Sequence, residues 1–265
     1  SGDISLPTDL WVPITKNIRP VTSDIVSLGA YFSGLKGWEF SLEGYWKRLN
    51  NVLEYKDGKM AFTSAANWEE NVEMGEGRAY GAEFYVQKTT GKTTGTASYT
   101  LAWANRRFKD GTINNGKWFP FVYDRRHNVT LSLIQKIGKR VELSAVWTYM
   151  SGSRMTIPTR KSFVITPDGD GTNDYDYVES RNNYKLPPTH RLDFNFSFHK
   201  QKKRGERIWN FGIYNAYGAL NPNFIMYDGS HKKKDPTTGE EITSPALIKK
   251  TFLIFYPSFS YTFKF

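Results

Sequence analysis

Residues 251–265 read TFLIFYPSFSYTFKF, and this stretch decides how the rest of the chain is read. Counted back from Phe265, alternate positions are Phe263, Tyr261, Phe259, Pro257, Phe255 and Leu253; between them lie Lys264, Thr262, Ser260, Ser258, Tyr256 and Ile254. Successive side chains of a strand point to opposite faces, so the segment carries one aromatic face and one mostly polar face. A half-buried strand of a soluble sheet also alternates, but its apolar face is seldom aromatic over so many positions. A membrane-crossing barrel strand, about ten residues long with its apolar side to lipid and its polar side to the lumen, fits better. Pro257 interrupts the pattern, because it removes a ladder donor, and a bulge or frayed pairing is expected there.

Outward from this stretch the same alternation recurs eight more times. Residues 24–33 set Val26, Leu28, Ala30 and Phe32 against Ser27, Gly29, Tyr31 and Ser33, and residues 38–54 set Trp38, Phe40, Leu42 and Trp46 against Glu39, Ser41, Glu43 and Lys47. Further strands are expected over 77–87 (Tyr80, Ala82, Phe84, Val86 outward), around 98–103 (Tyr99, Leu101, Trp103) and over 126–133 (Val129, Leu131, Leu133). The last three read 141–149 (Val141, Leu143, Ala145, Trp147, Tyr149), 191–199 (Leu192, Phe194, Phe196, Phe198) and 209–213 (Trp209, Phe211, Ile213). Connections alternate short and long along the whole chain. That is the asymmetry of an outer-membrane barrel, with tight periplasmic turns at one rim and long extracellular loops at the other.

The bulk numbers agree. Apolar residues make up only 39%, low for a large dry core but suited to a wall that is wet on one side, and aromatic residues reach 16%. There is no cysteine, which excludes disulfides and thiolate metal sites. The opening SGDISLPTDLWVP has neither a basic region nor an apolar run and is not a signal peptide. The net charge of +10 raises nucleic acid as a partner, but the aromatics alternate onto the face opposite the charges, so no stacking groove is expected and nucleic acid is discounted. The basic residues are spread over turns and rims, with Lys36, Lys92, Lys136, Lys139, Arg140, Lys200, Lys202, Lys203, Arg204 and Arg207 at the short-turn side, which suits solvation and the anionic inner-leaflet headgroups of outer-membrane lipid.

Several segments resemble TonB-dependent outer-membrane receptors. Gly77-Arg78-Ala79-Tyr80-Gly81-Ala82-Glu83 followed by Ser98-Tyr99-Thr100-Leu101 is similar to their YGxE…SYT pattern, and FPFVYDRRHN (119–128), NYKLPPTHRLD (183–193) and NFGIYN (210–215) resemble segments of Bacteroidetes-type members. Phe265 is similar to the terminal aromatic by which the outer-membrane assembly machinery recognises its substrates. The resemblance implies an all-β transmembrane antiparallel barrel of 22 strands with an N-terminal plug, of which residues 1–265 supply the last nine strands or so. An odd strand count then starts the chain in an extracellular loop. The expected partners are the N-terminal remainder carrying plug and earlier strands, TonB through that part, and, as in relatives, a surface lipoprotein.

Ionisable residues on the polar face are Glu39, Glu43, Glu83, Arg126, Glu142, Arg191 and Asp193. They bind solute or hold the plug, or form a solvated, cross-paired lumen wall, the plainest reading. The lumen rings Tyr31, Tyr45, Tyr85 and Tyr214 suit stacking on sugars or planar chelates. Asp168, Asp170 and Asp174, in DGDGTND, alternate around glycine like calcium-wrapping loops, although Thr166 stands at the first acidic position; a polar turn gives the same residues without an ion. Asp124 with His127 and Asp193 with His190 have the spacing of acid–base dyads, but no serine elbow or paired-acid spacing accompanies them, and no catalytic residue is assigned. The expected function is active uptake of a bulky nutrient, such as a siderophore, haem, cobalamin, glycan or peptide, across the bacterial outer membrane. The alternatives are a passive porin-like channel and a barrel enzyme.

Overall fold

Alternation produces strands because each places its apolar set on one face, and the computed structural model shows where those faces meet. It describes residues 14–57, 65–165, 172–221, 224–228, 231–243, 246–251 and 254–265. The wall strands are β1 (Thr22–Phe32), β2 (Trp38–Tyr55), β3 (Val72–Lys88), β4 (Thr93–Arg107), β5 (His127–Ile137), β6 (Val141–Met150), β7 (Thr189–Lys202), β8 (Gly205–Tyr214) and β9 (Tyr256–Lys264). They pair antiparallel in chain order as one meander, with the short strand Phe119–Pro120 added beside β4. The sheet is open: β1 pairs only with β2, and β9 only with β8.

Register carries the fold. Directly opposed residues of an antiparallel ladder share a face, and here one row runs Ala30–Leu42–Phe84–Tyr99–Val129–Tyr149 across six strands. Other rows read Leu131–Trp147–Leu192, Phe196–Phe211–Phe259 and Phe198–Trp209–Tyr261. The apolar face is therefore continuous over all nine strands. Protein does not cover it: Leu28 is 83% exposed and Phe259 59%. An apolar patch this extensive needs a partner phase, and lipid supplies it. Aromatic pairs mark both margins, with Tyr80 stacked on Trp103 at 5.2 Å toward the long loops, and Trp209 at 4.7 Å from Tyr261 toward the short turns.

The short connections are residues 33–37, 89–92, 138–140 and 203–204, and the long ones 56–71, 108–126, 151–188 and 215–255. The long connections are not plain loops. They hold a 3-10 helix at Ala65–Asn71 and hairpins pairing Arg160–Ile165 with Thr172–Tyr177, Phe224–Asp228 with Ala246–Lys250, and Lys232–Lys234 with Glu241–Thr243.

Two expectations are corrected. The end of the acidic stretch before Gly77 is strand, since β3 starts at Val72 and pairs with β2 as far as Tyr55. A bulge makes this possible: register steps from Asn50 opposite Glu76 to Val52 opposite Gly75, and Asn51 takes a left-handed φ of 58°. Without the extra residue Val52 would share the outward parity of Trp46 and Arg48. With it, Val52 turns to the inner side and joins Phe108, Ile113 and Phe119 in a small buried cluster. Pro257 is the second correction, since β9 pairs through it with Ile213 and no register shift. An unbroken ladder at proline requires the absent N–H to lie on the strand's other side, which here is the unpaired edge.

Phe108 is fully buried over Gly75, where a Cβ would stand 2.5 Å from its ring. Phe108→Ala is expected to cost about 3–5 kcal/mol of local stability. Limited proteolysis is expected to cut the 108–126 connection sooner, while the heat-modifiable gel shift of the wall persists.

Candidate functional site

Above the aromatic margin the long connections are tied to one another on the inner side of the wall. The knot is Arg181. Its guanidinium donates to the Tyr55 carbonyl at 2.7 Å, to Asp57 Oδ1 at 3.0 Å and to Glu54 Oε1 at 3.2 Å, and its backbone N–H donates to Asn114 Oδ1 at 2.8 Å. Glu54 also accepts from Arg106 at 2.8 Å, and the Arg106 guanidinium lies 3.6 Å from the centroid of Phe121. Asp57 in turn accepts from the backbone N–H of Asn114 at 2.9 Å. The connections at 56–71, 108–126 and 151–188 thus meet at two carboxylates and two guanidiniums. Asn182 adds a bond to the Pro120 carbonyl at 2.8 Å.

A second anchor is Asp124, almost wholly buried. Its Oδ1 accepts the Ala104 N–H at 2.8 Å, and its Oδ2 lies 3.3 Å from Arg126 and 3.7 Å from Arg154. A carboxylate taken from water needs such compensation, and two guanidiniums and an amide provide it.

Two polar hollows open on this crown. One, of about 370 Å³, is lined by Lys56, Asp57, Asn114, Thr156, Glu179 and Arg181 among others. The other, of about 440 Å³, is lined by Asn17, Ile18, Trp68, Glu69, Glu73 and Met74 with Lys56 between the two. Asn17 Nδ2 donates to Glu69 at 2.9 Å, and this bond, with a further one from Thr15, holds the Glu69 carboxyl below its ordinary range. Farther out, the N–H groups of Thr237 and Thr238 hold the Asp235 carboxyl below its ordinary range. A depressed carboxyl pKa stabilises above the unfolded value, so the support is lost as pH falls through the folded one.

The predicted lumen residues are spread along the wall. Glu43 and Glu83 are directly opposed and exposed, while Glu39 faces Gln87 and Glu142 stands between Lys136 and Ser197. Arg191 and Asp193 come together: Arg191 Nε is 2.9 Å from Asp193 Oδ2, and its guanidinium lies over Tyr214 at 4.3 Å while donating to the Tyr214 hydroxyl. Arg126 differs, since its guanidinium lies over Trp103 at 4.4 Å and against Asp124, at the margin of the aromatic face. The calcium-like segment falls outside the described side chains; in Asp168–Asp174 only the backbone pairing from Thr172 onward is described. His127 Nδ1 is 2.9 Å from the Tyr99 hydroxyl and His190 Nδ1 is 2.8 Å from that of Tyr217, so each finds a phenol where a dyad would need Asp124 or Asp193. Sequence reading missed Glu54, Arg106, Asn114 and Arg181, which no periodicity singles out. Asp124 was singled out inside the FPFVYDRRHN segment and by its spacing to His127, but not as an anchor of the connections.

A lipid-facing antiparallel wall with short turns at one rim and a bonded crown at the other defines an outer-membrane barrel segment. A family model described as TonB dependent receptor-like, beta-barrel, matches residues 4–216, and the chain belongs to that family. No curated protein matches the chain. The family consists of transporters in the outer membrane of Gram-negative bacteria, where the barrel works with a plug and with TonB.

Arg181→Gln is expected to remove about 1–3 kcal/mol of local stability. Hydrogen exchange is expected to quicken at Asn114, Arg181 and Asn182, with the β3–β4 ladder amides unchanged.

Proposed function

We propose that this chain is the wall and loop crown of a Bacteroidetes-type receptor that imports a bulky, scarce nutrient at the expense of inner-membrane energy. The observation that carries this reading is the pairing of a continuous lipid-facing wall with a crown whose connections are bonded to one another. A crown held at Arg181 and Asp124 presents polar hollows in fixed positions, which is how a rigid scaffold serves recognition. A passive pore needs no such ordering.

The polar face fits a filled lumen. Like charges directly opposite one another destabilise a sheet, so Glu43 and Glu83 call for a cation between them, supplied by a plug side chain or by solute. Glu39, Glu142, Arg191 and Asp193 line the same face. In this reading the plug fills the lumen, and the strands that complete a 22-stranded barrel pair with the open edges of β1 and β9, since hydrocarbon leaves unpaired backbone groups unsatisfied at several kcal/mol each. The solute is a siderophore, haem, cobalamin, glycan or peptide, which co-purified material from the native membrane identifies by mass spectrometry.

Energised import makes two expectations for the intact receptor. Its reconstituted form is expected to show no large steady conductance in a planar bilayer, and accumulation of its solute by cells is expected to stop when TonB is deleted or a protonophore is added. A steady open pore, or uptake indifferent to both treatments, would overturn this reading in favour of a passive channel.

A further inference from the structure

The net charge of +10 is not spread evenly, and its largest concentration lies at the short-turn rim beneath β7 and β8. On the lipid-facing side the aromatic row Phe198–Trp209–Tyr261 is followed, two residues along each strand, by Lys200–Arg207–Phe263. Lys200 and Arg207 are direct cross-strand partners, and both are exposed. Lys202 continues the same face, Lys203 and Arg204 form the turn, and Lys139 and Arg140 stand in the neighbouring turn, tied to β7 by the bond from His199 N–H to the Arg140 carbonyl.

Among the described residues no acidic side chain stands on that face at this rim. Glu206 points to the inner side and holds His199 at 2.9 Å, and Glu142 is inward opposite Lys136. Among the described residues none of these seven cations lies within 4 Å of an acidic group. The opposite rim differs. There the outward Arg107 and Lys109 both pair with Glu76, and Asp24 lies across from Arg48.

The hairpin is also held in place. Gly205 has a φ of 148°, and a Cβ there would collide with the Lys264 carbonyl, so the turn sits directly against the end of β9. A direct like-charge pair costs stability in a sheet, and among the described residues no acidic side chain pairs with Lys200 or Arg207 to offset it. Long cationic side chains one row outside an aromatic margin reach the headgroup layer, where each gains from an anionic surface.

We propose that Lys200, Lys202, Lys203, Arg204 and Arg207, with Lys139 and Arg140, form a binding site for the phosphate of anionic glycerophospholipids in the leaflet that meets the short turns. Exposed Phe263 and Phe265 lie against the adjoining acyl region. The site fixes the depth of this rim in the membrane and goes beyond transport.

The test is native mass spectrometry of the intact receptor in detergent, titrated with phosphatidylglycerol or phosphatidylethanolamine of identical acyl chains. The wild type is expected to retain phosphatidylglycerol about tenfold or more over phosphatidylethanolamine, and raised salt is expected to erode the preference. The fourfold variant K202Q/K203Q/R204Q/R207Q is expected to lose it, while K232Q/K233Q/K234Q in a long-loop hairpin keeps it. Equal retention of both lipids by the wild type overturns the site. So does a preference indifferent to salt, a heat-modifiable, folded fourfold variant that keeps the preference, or its loss in both variants, which would trace it to net charge alone. Should the fourfold variant not fold, the wild-type lipid ratio and its salt dependence decide the matter.

Discussion

Hydrocarbon offers no hydrogen-bond partner to a peptide group, and the rest of this structure follows from that constraint. Each crossing segment must find its donors and acceptors in a neighbouring strand, so pairing is obligatory and register becomes the quantity that matters. With a side-chain period of two, a slip of one residue would put Glu43 into lipid and Leu42 into the lumen. The row from Ala30 to Tyr149 shows every seam it crosses set in the one register that avoids this. Burial inside protein plays little part: the wall is thin, and lipid does the covering.

Beyond the aromatic margin water returns and the means of cohesion change. The small cluster of buried Val52, Phe108, Ile113 and Phe119 belongs to the crown. Around it, carboxylates and guanidiniums join connections far apart in sequence. Arg181 reaches residues more than a hundred positions earlier. Charge-assisted bonds suit this place, because Glu54 and Asp57 are partly shielded from water yet stay close enough to it that their desolvation is modest. Two solvents meet along each of β2, β3 and β4, and each length of strand is held by the interaction that its solvent leaves effective.

The wall was legible in the sequence because its information is local. Alternation places nine strands in order, and the alternating connection lengths orient them; the observed strands occupy the same nine places. The start of β3 was not legible, since Asn51 resets the alternation and the acidic residues before Gly77 read as a loop when the original parity is continued. Pro257 misled for a related reason: its cost depends on which side of the strand is paired, a tertiary fact. Arg126 follows the inward parity of β5 by count, but it stands at the bend before that strand, where its guanidinium finds Trp103 and Asp124. The crown was least legible. A bond between residues 54 and 181 leaves no periodic mark, and only chain geometry brings the two together.

The bulge at Asn51 also bears on how such proteins diversify. It acts as a phase shifter between two reading frames of the same strand, one set by lipid and the other by the crown. A recombination joining this wall to another crown keeps both in phase only if the crossover lies on the wall side of Asn51, so that the bulge travels with the loops it serves. A crossover beyond it would deliver Val52 and Glu54 to the wrong side, leaving the wall intact and its crown unfastened. Interchangeable parts in this architecture are therefore bounded by a single left-handed asparagine.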